Sequence, residues 1–215
     1  ASWFIPYRNS SLSLLMNFPR KAGILLHPTS LPGPYGMGEI GPFARDFIRR
    51  LNAAGQHYWQ VLPLGPTGYA DSPYQTLSSF AGNAMLISFD DLIEDGLLQP
   101  GEIIDRPPFP EDRVDYGPVL TYRKQILDLV AGTFADRAGE DLLEAFEGFC
   151  AQQAEWLEDY ALFVALKEEY DLRPWTEWPE EMVQREPADL KAFAASRPEA
   201  LQRVRILQFL FDHQW

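Results

Sequence analysis

Between Val61 and Asn83 the chain reads VLPLGPTGYADSPYQTLSSFAGN, a stretch crowded with groups that could do chemistry. Val61, Leu62 and Leu64 open it as a core strand would open, and Tyr69, Asp71, Ser72, Tyr74, Gln75 and Asn83 follow. Flat aromatic rings beside carboxylate, hydroxyl and amide groups suit a sugar. The rings can pack on the C–H face of a pyranose while the polar groups bond its rim of hydroxyls. Pro66 and Pro73 restrict the backbone and lower the entropy lost when such a loop is ordered. Asp-Ser-Pro is equally an ordinary turn sequence, and tyrosines also pack in cores with only the hydroxyl exposed, so residue types leave both readings open.

Three further positions invite a chemical reading and have a plainer one. His27 ends an apolar run and reads more simply as a structural histidine. Asp90 and Asp91 form a carboxylate pair, but FDDLIED is what a capped helix start looks like. Cys150, the single cysteine, reads as a small buried hydrophobe rather than a nucleophile.

The elements that must position these groups follow from hydrophobic patterning. Continuous apolar runs over 23–28 and 58–66 read as strands buried on both faces. Between them Pro42 opens a helical pattern with Phe43, Phe47, Ile48, Leu51 and Ala54 on one face, and Gly55 closes it. Strand, helix and strand in this order predict a parallel βαβ unit, whose ligand loops lie at the carboxyl ends of the strands, after His27 and after Leu64. The run 84–89 is expected to be a third extended piece, DDLIEDGLL a short helix, and 100–110 loop. Beyond these the period is helical: one stripe of Val119, Tyr122, Ile126, Val130 and Phe134; a second of Leu142, Leu143, Phe146 and Phe149; a third of Trp156, Leu157, Tyr160, Phe163 and Leu166; and a last helix from about 197 with Leu201, Val204, Leu207 and Phe211. Two or three strands cannot bury both faces of a parallel sheet, so the pattern reads as the opening of a larger α/β architecture with a helical insertion.

Composition narrows the function. A net charge of −13, from 31 acidic against 18 basic residues with no basic cluster, argues against nucleic acid as a partner. No apolar run approaches the roughly 20 residues of a membrane span. One cysteine permits no internal disulfide, and the expected setting is reducing and cytoplasmic. Residues 1–15 contain no stretch resembling a secretory signal; they read as an added leader ahead of a natural start at Met16, or else as an N-terminal arm packed through Trp3, Phe4 and Tyr7.

The segments AGILLHPTSLPGPYGMGEIG, YWQVLPLGPTG, DSPYQTLSSFAGN, RVDYG and ALKEEY…PWTEWP, in this order over 20–215, resemble the N-terminal motifs of the 4-alpha-glucanotransferases of glycoside hydrolase family 77, the amylomaltases or disproportionating enzymes. The resemblance implies an α/β fold: the opening part of a (β/α)8 barrel over 16–89, incomplete in this chain, followed by a largely helical insertion over 90–215. It implies maltooligosaccharides and α-1,4-glucans as substrates, a retaining double displacement by carboxylates, and no metal or organic cofactor. It implies that Tyr74 flanks donor glucose, that Ser72 hydrogen-bonds beside it, and that Asp71 organises the turn. Tyr69 corresponds to a tyrosine of a second glucan site in some relatives. The partner position there falls on Leu120, with Tyr122 nearby. The family's nucleophile Asp, its acid/base Glu and a further Asp belong to later strands, so none of these 215 residues is expected to be catalytic and the chain alone is expected to be inactive. The alternative readings are a non-catalytic glucan-binding module and a helical structural protein whose loop is only turns.

Overall fold

The computed structural model describes residues 20–68, 72–103 and 106–215. Strands β1 (Gly23–Leu25) and β2 (Tyr58–Gln60) pair in parallel, Gly23 opposite Tyr58 and Leu25 opposite Gln60. They are joined through helix α1 (Pro42–Ala53), whose Phe47 meets Trp59 edge to face at 5.1 Å. Gly55, at φ +70°, turns the chain out of α1 while Gln56 N–H reaches back to the Leu51 carbonyl at 2.9 Å; a residue without Cβ takes that conformation at least cost. The expected βαβ unit is therefore present, but its strands are shorter than the apolar runs and they are not buried. Ile24, Leu25 and Tyr58 keep 42%, 56% and 52% of their surface in contact with solvent. Phe43 and Ile48 of α1 are exposed as well. Among the described residues no further strand flanks this sheet, and burial on both faces needs neighbours on both.

The run 84–89 is not extended. Asn83 caps a short 3-10 turn at Ala84–Leu86, accepting from Met85 N–H at 3.0 Å. Ser88 then caps α2 (Phe89–Glu94), accepting from Asp91 N–H at 3.3 Å. Leu86, Ile87 and Phe89 are completely buried, so the apolar run serves a helical core instead of a strand. Local capping chemistry outcompetes the β-pattern here because each cap satisfies a donor that the turn would otherwise leave open.

Two long helices follow, α3 (Tyr116–Arg137) and α4 (Glu140–Glu169). The stripe from Val119 to Phe134 is buried along α3. The two stripes expected from 142 to 166 lie on one continuous helix of 30 residues. Short helices α5 (Glu180–Val183) and α6 (Pro187–Ser196), which the patterning did not separate, precede α7 (Pro198–Gln214). Helix α7 runs against both α3 and α4, and its Leu201, Val204, Ile206, Leu207, Phe209 and Leu210 are buried. At one end an aromatic cluster of Phe134, Phe146 and Phe209 packs edge to face at 5.4 to 6.1 Å. At the other, Ala161, Ala165, Trp178, Phe193 and Val204 form a second core.

One buried ion pair joins the loop after β1 to this helical body. Arg123 of α3 has no solvent exposure, and Glu39 has 5%. The Arg123 guanidinium donates to the Glu39 carboxylate and to the Ile87 carbonyl, and lies 4.3 Å over the Phe89 ring. Nearby, Arg45 of α1 holds Asp91 of α2 through two hydrogen bonds of 2.7 Å. Deleting one member of a buried pair strands the other charge, so Glu39→Ala is expected to lower stability by about 3–5 kcal/mol in urea denaturation. Replacing both together (Glu39→Leu with Arg123→Met) should cost clearly less than that single change, because no orphan charge remains.

Candidate functional site

The loop after β2 folds as a small flap. Its arms meet at an antiparallel bridge between Thr67 and Thr76, with Gly68 N–H to the Gln75 carbonyl at 2.8 Å and Leu77 N–H to the Pro66 carbonyl at 3.0 Å. Its base is closed by Asn83 N–H to the Leu64 carbonyl at 2.7 Å. At the tip, Ser72 Oγ accepts from Tyr74 N–H at 3.4 Å and the Ser72 carbonyl from Gln75 N–H at 3.1 Å, a turn of the kind that Ser-Pro sequences favour. This geometry turns the Tyr74 ring outward, 71% exposed, while Ser72 is half-buried beside it. Within these residues Tyr74 does not pack in the core. Asp71 and Tyr69 lie outside the described residues. Gln75 is exposed; Asn83 uses its side-chain carbonyl as a cap and keeps only the amide N–H groups for another partner.

Behind the flap a cavity of about 240 Å³ is lined by His27, Thr29, Leu62, Thr67, Pro73 and Tyr116, among others. Through Thr29, Ser30 and Met37 it borders a cleft of about 710 Å³ between the loop after β1 and residues 106–114. An outward ring beside a cavity of polar and apolar walls can hold one face of a cyclic polyol and bond its edge.

The remaining candidates take their plainer roles. His27 caps the 3-10 turn Pro28–Ser30: its Nδ1 accepts from Thr29 N–H at 3.3 Å and lies 2.8 Å from Thr29 Oγ1. Burial pushes its imidazole below the ordinary value, the Pro63 carbonyl pulling the other way, so the ring is neutral at neutral pH. Asp90 accepts from Tyr35 O–H at 2.8 Å, and Asp91 is taken by Arg45. Burial, then the bond to Asp90, holds the Tyr35 hydroxyl well above its usual range. Burial also pushes the Cys150 thiol up, against nucleophilic use. Tyr122 is 4% exposed and packs among Phe89 and Phe109, so it offers no open ring for a second sugar site; Leu120 is half-buried along a cleft wall. Among the described residues no three His, Cys, Asp or Glu side chains converge on a point where a metal could sit, and no helix is long and apolar enough to cross a membrane.

Two residues outside the expected set shape the site. Phe80, on the return arm, is 73% exposed and stacks on Trp156 at 6.2 Å. Gln208 of α7 bonds the flap's base. Gln208 did carry a sequence signal, since it falls four residues after Val204 on the apolar stripe, where an amide must find a buried partner.

Residues 26–215 match the family model described as 4-alpha-glucanotransferase, and the chain belongs to that family. It is 46% identical over 200 residues to the 4-alpha-glucanotransferase of Thermus thermophilus, covering 93% of this chain and 39% of that protein. It is 38% identical to the chloroplastic/amyloplastic enzyme of Solanum tuberosum, covering 93% of this chain and 35% of that protein. Among solved structures, the amylomaltase of Streptococcus agalactiae in complex with acarbose superposes with a TM-score of 0.85 at 32% identity, covering 92% of this chain and 40% of that one. The amylomaltase of Corynebacterium glutamicum shares the fold, at a TM-score of 0.65 and 17% identity, with 90% of this chain and 27% of that one covered. The chain thus spans about two fifths of the length of the curated relatives it matches.

Exposed side chains contribute little to folding, so Tyr74→Ala is expected to change stability by no more than about 0.5 kcal/mol. Thermal melting beside Phe89→Ala, a fully buried ring whose loss should cost about 3–5 kcal/mol, makes the comparison.

Proposed function

We propose that these residues form the glucan-holding opening portion of a 4-alpha-glucanotransferase. The family match over 26–215 is the observation that carries this reading. On it, β1, α1 and β2 begin a (β/α)8 barrel within residues 16–89, and 90–215 are its helical insertion. The parallel pairing of the two strands and their bare faces support that assignment. The flap is then the wall of a donor site at the carboxyl end of a barrel strand. Tyr74 lies against donor glucose, Ser72 bonds its hydroxyls, and Asp71 holds the turn. Tyr69 belongs to a second glucan contact further out. The ligand is a maltooligosaccharide or a longer α-1,4-glucan, and the setting is cytoplasmic.

The reaction is a retaining transfer of a glucan segment. A carboxylate attacks the anomeric carbon and displaces the reducing-end sugar, whose oxygen takes a proton from an acid; a hydroxyl of an acceptor glucan then replaces water as the second nucleophile. The attacking and proton-donating carboxylates are assigned to the part of the family's length that the chain does not span. These residues contribute binding, orientation and the exclusion of water.

The chain by itself should bind maltotriose without converting it, and chromatography after prolonged incubation is the check. Release of glucose with longer maltodextrins at rates typical of enzymes would overturn the assignment of the carboxylates. In a protein spanning the full family length, Tyr74→Ala should lower transfer tenfold to a thousandfold, about 1.4–4 kcal/mol of transition-state stabilisation. It should also raise hydrolysis as a share of turnover, since a wall that keeps water out has gone. Unchanged transfer would remove Tyr74 from the donor site.

A further inference from the structure

Gln208 makes an unusual contact. Its side chain, 4% exposed, bonds both backbone groups of one residue: Gly82 N–H donates to Oε1 at 2.8 Å, and Nε2 donates to the Gly82 carbonyl at 3.0 Å. The amide thereby substitutes for a neighbouring strand. The next residue, Asn83, bonds the Leu64 carbonyl, so the foot of the flap is held by α7 and by the start of the loop after β2. A Cβ at position 82 would overlap the Phe211 ring, so the backbone lies flat against the helix, which only glycine allows.

The return arm is hydrogen-bonded from the tip down to this point. Gln75 is paired with Gly68 and Leu77 with Pro66. Thr76 Oγ1 donates to the Ser78 carbonyl at 2.7 Å, and Ser78 Oγ accepts from Phe80 and Ala81 N–H groups, both at 3.1 Å. A displacement at Gly82 has little slack in which to dissipate before it reaches Ser72 and Tyr74. We propose that Gln208 is a positioning residue: through one buried amide, helix α7 sets where the flap holds its tip against glucan. This rests on the reading of the flap as a glucan wall.

The same helix supplies a control. Gln214, six residues on, makes the same pair of bonds to Ser88, with Ser88 N–H to Oε1 at 2.6 Å and Nε2 to the Ser88 carbonyl at 3.1 Å, beyond the flap. Gln208→Met and Gln214→Met each remove two hydrogen bonds at nearly constant volume. Both are compared with the unaltered chain in thermal melting, in amide exchange at Gly68, Leu77 and Asn83, and in maltoheptaose affinity by calorimetry. Both variants should melt lower, Gln208→Met by more, since the groups it leaves unpaired are more deeply buried. Only Gln208→Met should speed exchange of the flap amides, by about tenfold or more. Only Gln208→Met should weaken maltoheptaose, by about fivefold or more. Gln208→Asn, which keeps the amide one methylene short, should fall between the two states and stands in if Gln208→Met does not fold. Equal effects of the two methionine variants on flap exchange and affinity, or no effect of Gln208→Met on either, would reduce Gln208 to a structural staple and overturn the proposal. A Tyr74→Ala arm separates the two readings. If it leaves maltoheptaose affinity unchanged while Gln208→Met still loosens the flap, the glucan wall fails and the mechanical link to α7 stands.

Discussion

A guanidinium sealed from water must find its charge and its hydrogen bonds within the protein, and the placement of Arg123 constrains everything around it. Its partners come from two separate stretches of chain: Glu39 from the loop after β1, and the Ile87 carbonyl and Phe89 ring from the segment that leads into α2. Burial pushes the Glu39 carboxyl up while Arg123 pulls it down, and the fixed geometry between them holds both loops in one arrangement. A pair of this kind adds little net stability over an apolar core. Its effect is to permit one arrangement and make the alternatives costly. The loops that border the candidate site are therefore referred to α3, not to the short sheet.

The flap shows how this division of labour works. Its foot is fixed by backbone bonds to Leu64 and by the Gln208 amide, and its arms by the Thr67–Thr76 bridge. Its tip puts an aromatic ring into solvent. Ordering a loop costs roughly 1–2 kcal/mol per residue, and a loop already ordered does not incur that cost again when it meets a ligand. For the described residues of the flap, these bonds meet part of that cost during folding.

The sequence was a good guide where structure is local and a poor one where it is relational. The cap and first turn of α2, the opening of α1 at Pro42, its closure at Gly55, and the stripes of α3 and α7 were legible because propensity, capping and period agree there. The parallel pairing followed from the order of elements. The extent and burial of the strands did not, because Ile24 and Leu25 look like interior residues whether or not neighbours cover them. The 84–89 run misled for the opposite reason: it is interior, but in a helical core, and a short apolar run cannot tell the two apart. In the site, residue type and resemblance point to Tyr74 and Ser72, and the structure puts the Tyr74 ring in solvent. Gln208 is separated by 126 residues from the glycine it holds, and no local pattern connects them.

The uncovered strands also bear on how molecules of this chain meet one another. Ile24, Leu25 and Tyr58 are exposed on a sheet that has two strands among the described residues, and open sheet edges template pairing between molecules. What opposes that encounter is the charge of −13, which makes molecules repel at low ionic strength. Salt shortens the reach of that repulsion to about 10 Å at 0.1 M, and acid removes its source as carboxylates take up protons near pH 4. Colloidal stability therefore answers to counterions and pH acting on the surface, a demand separate from the packing around α7.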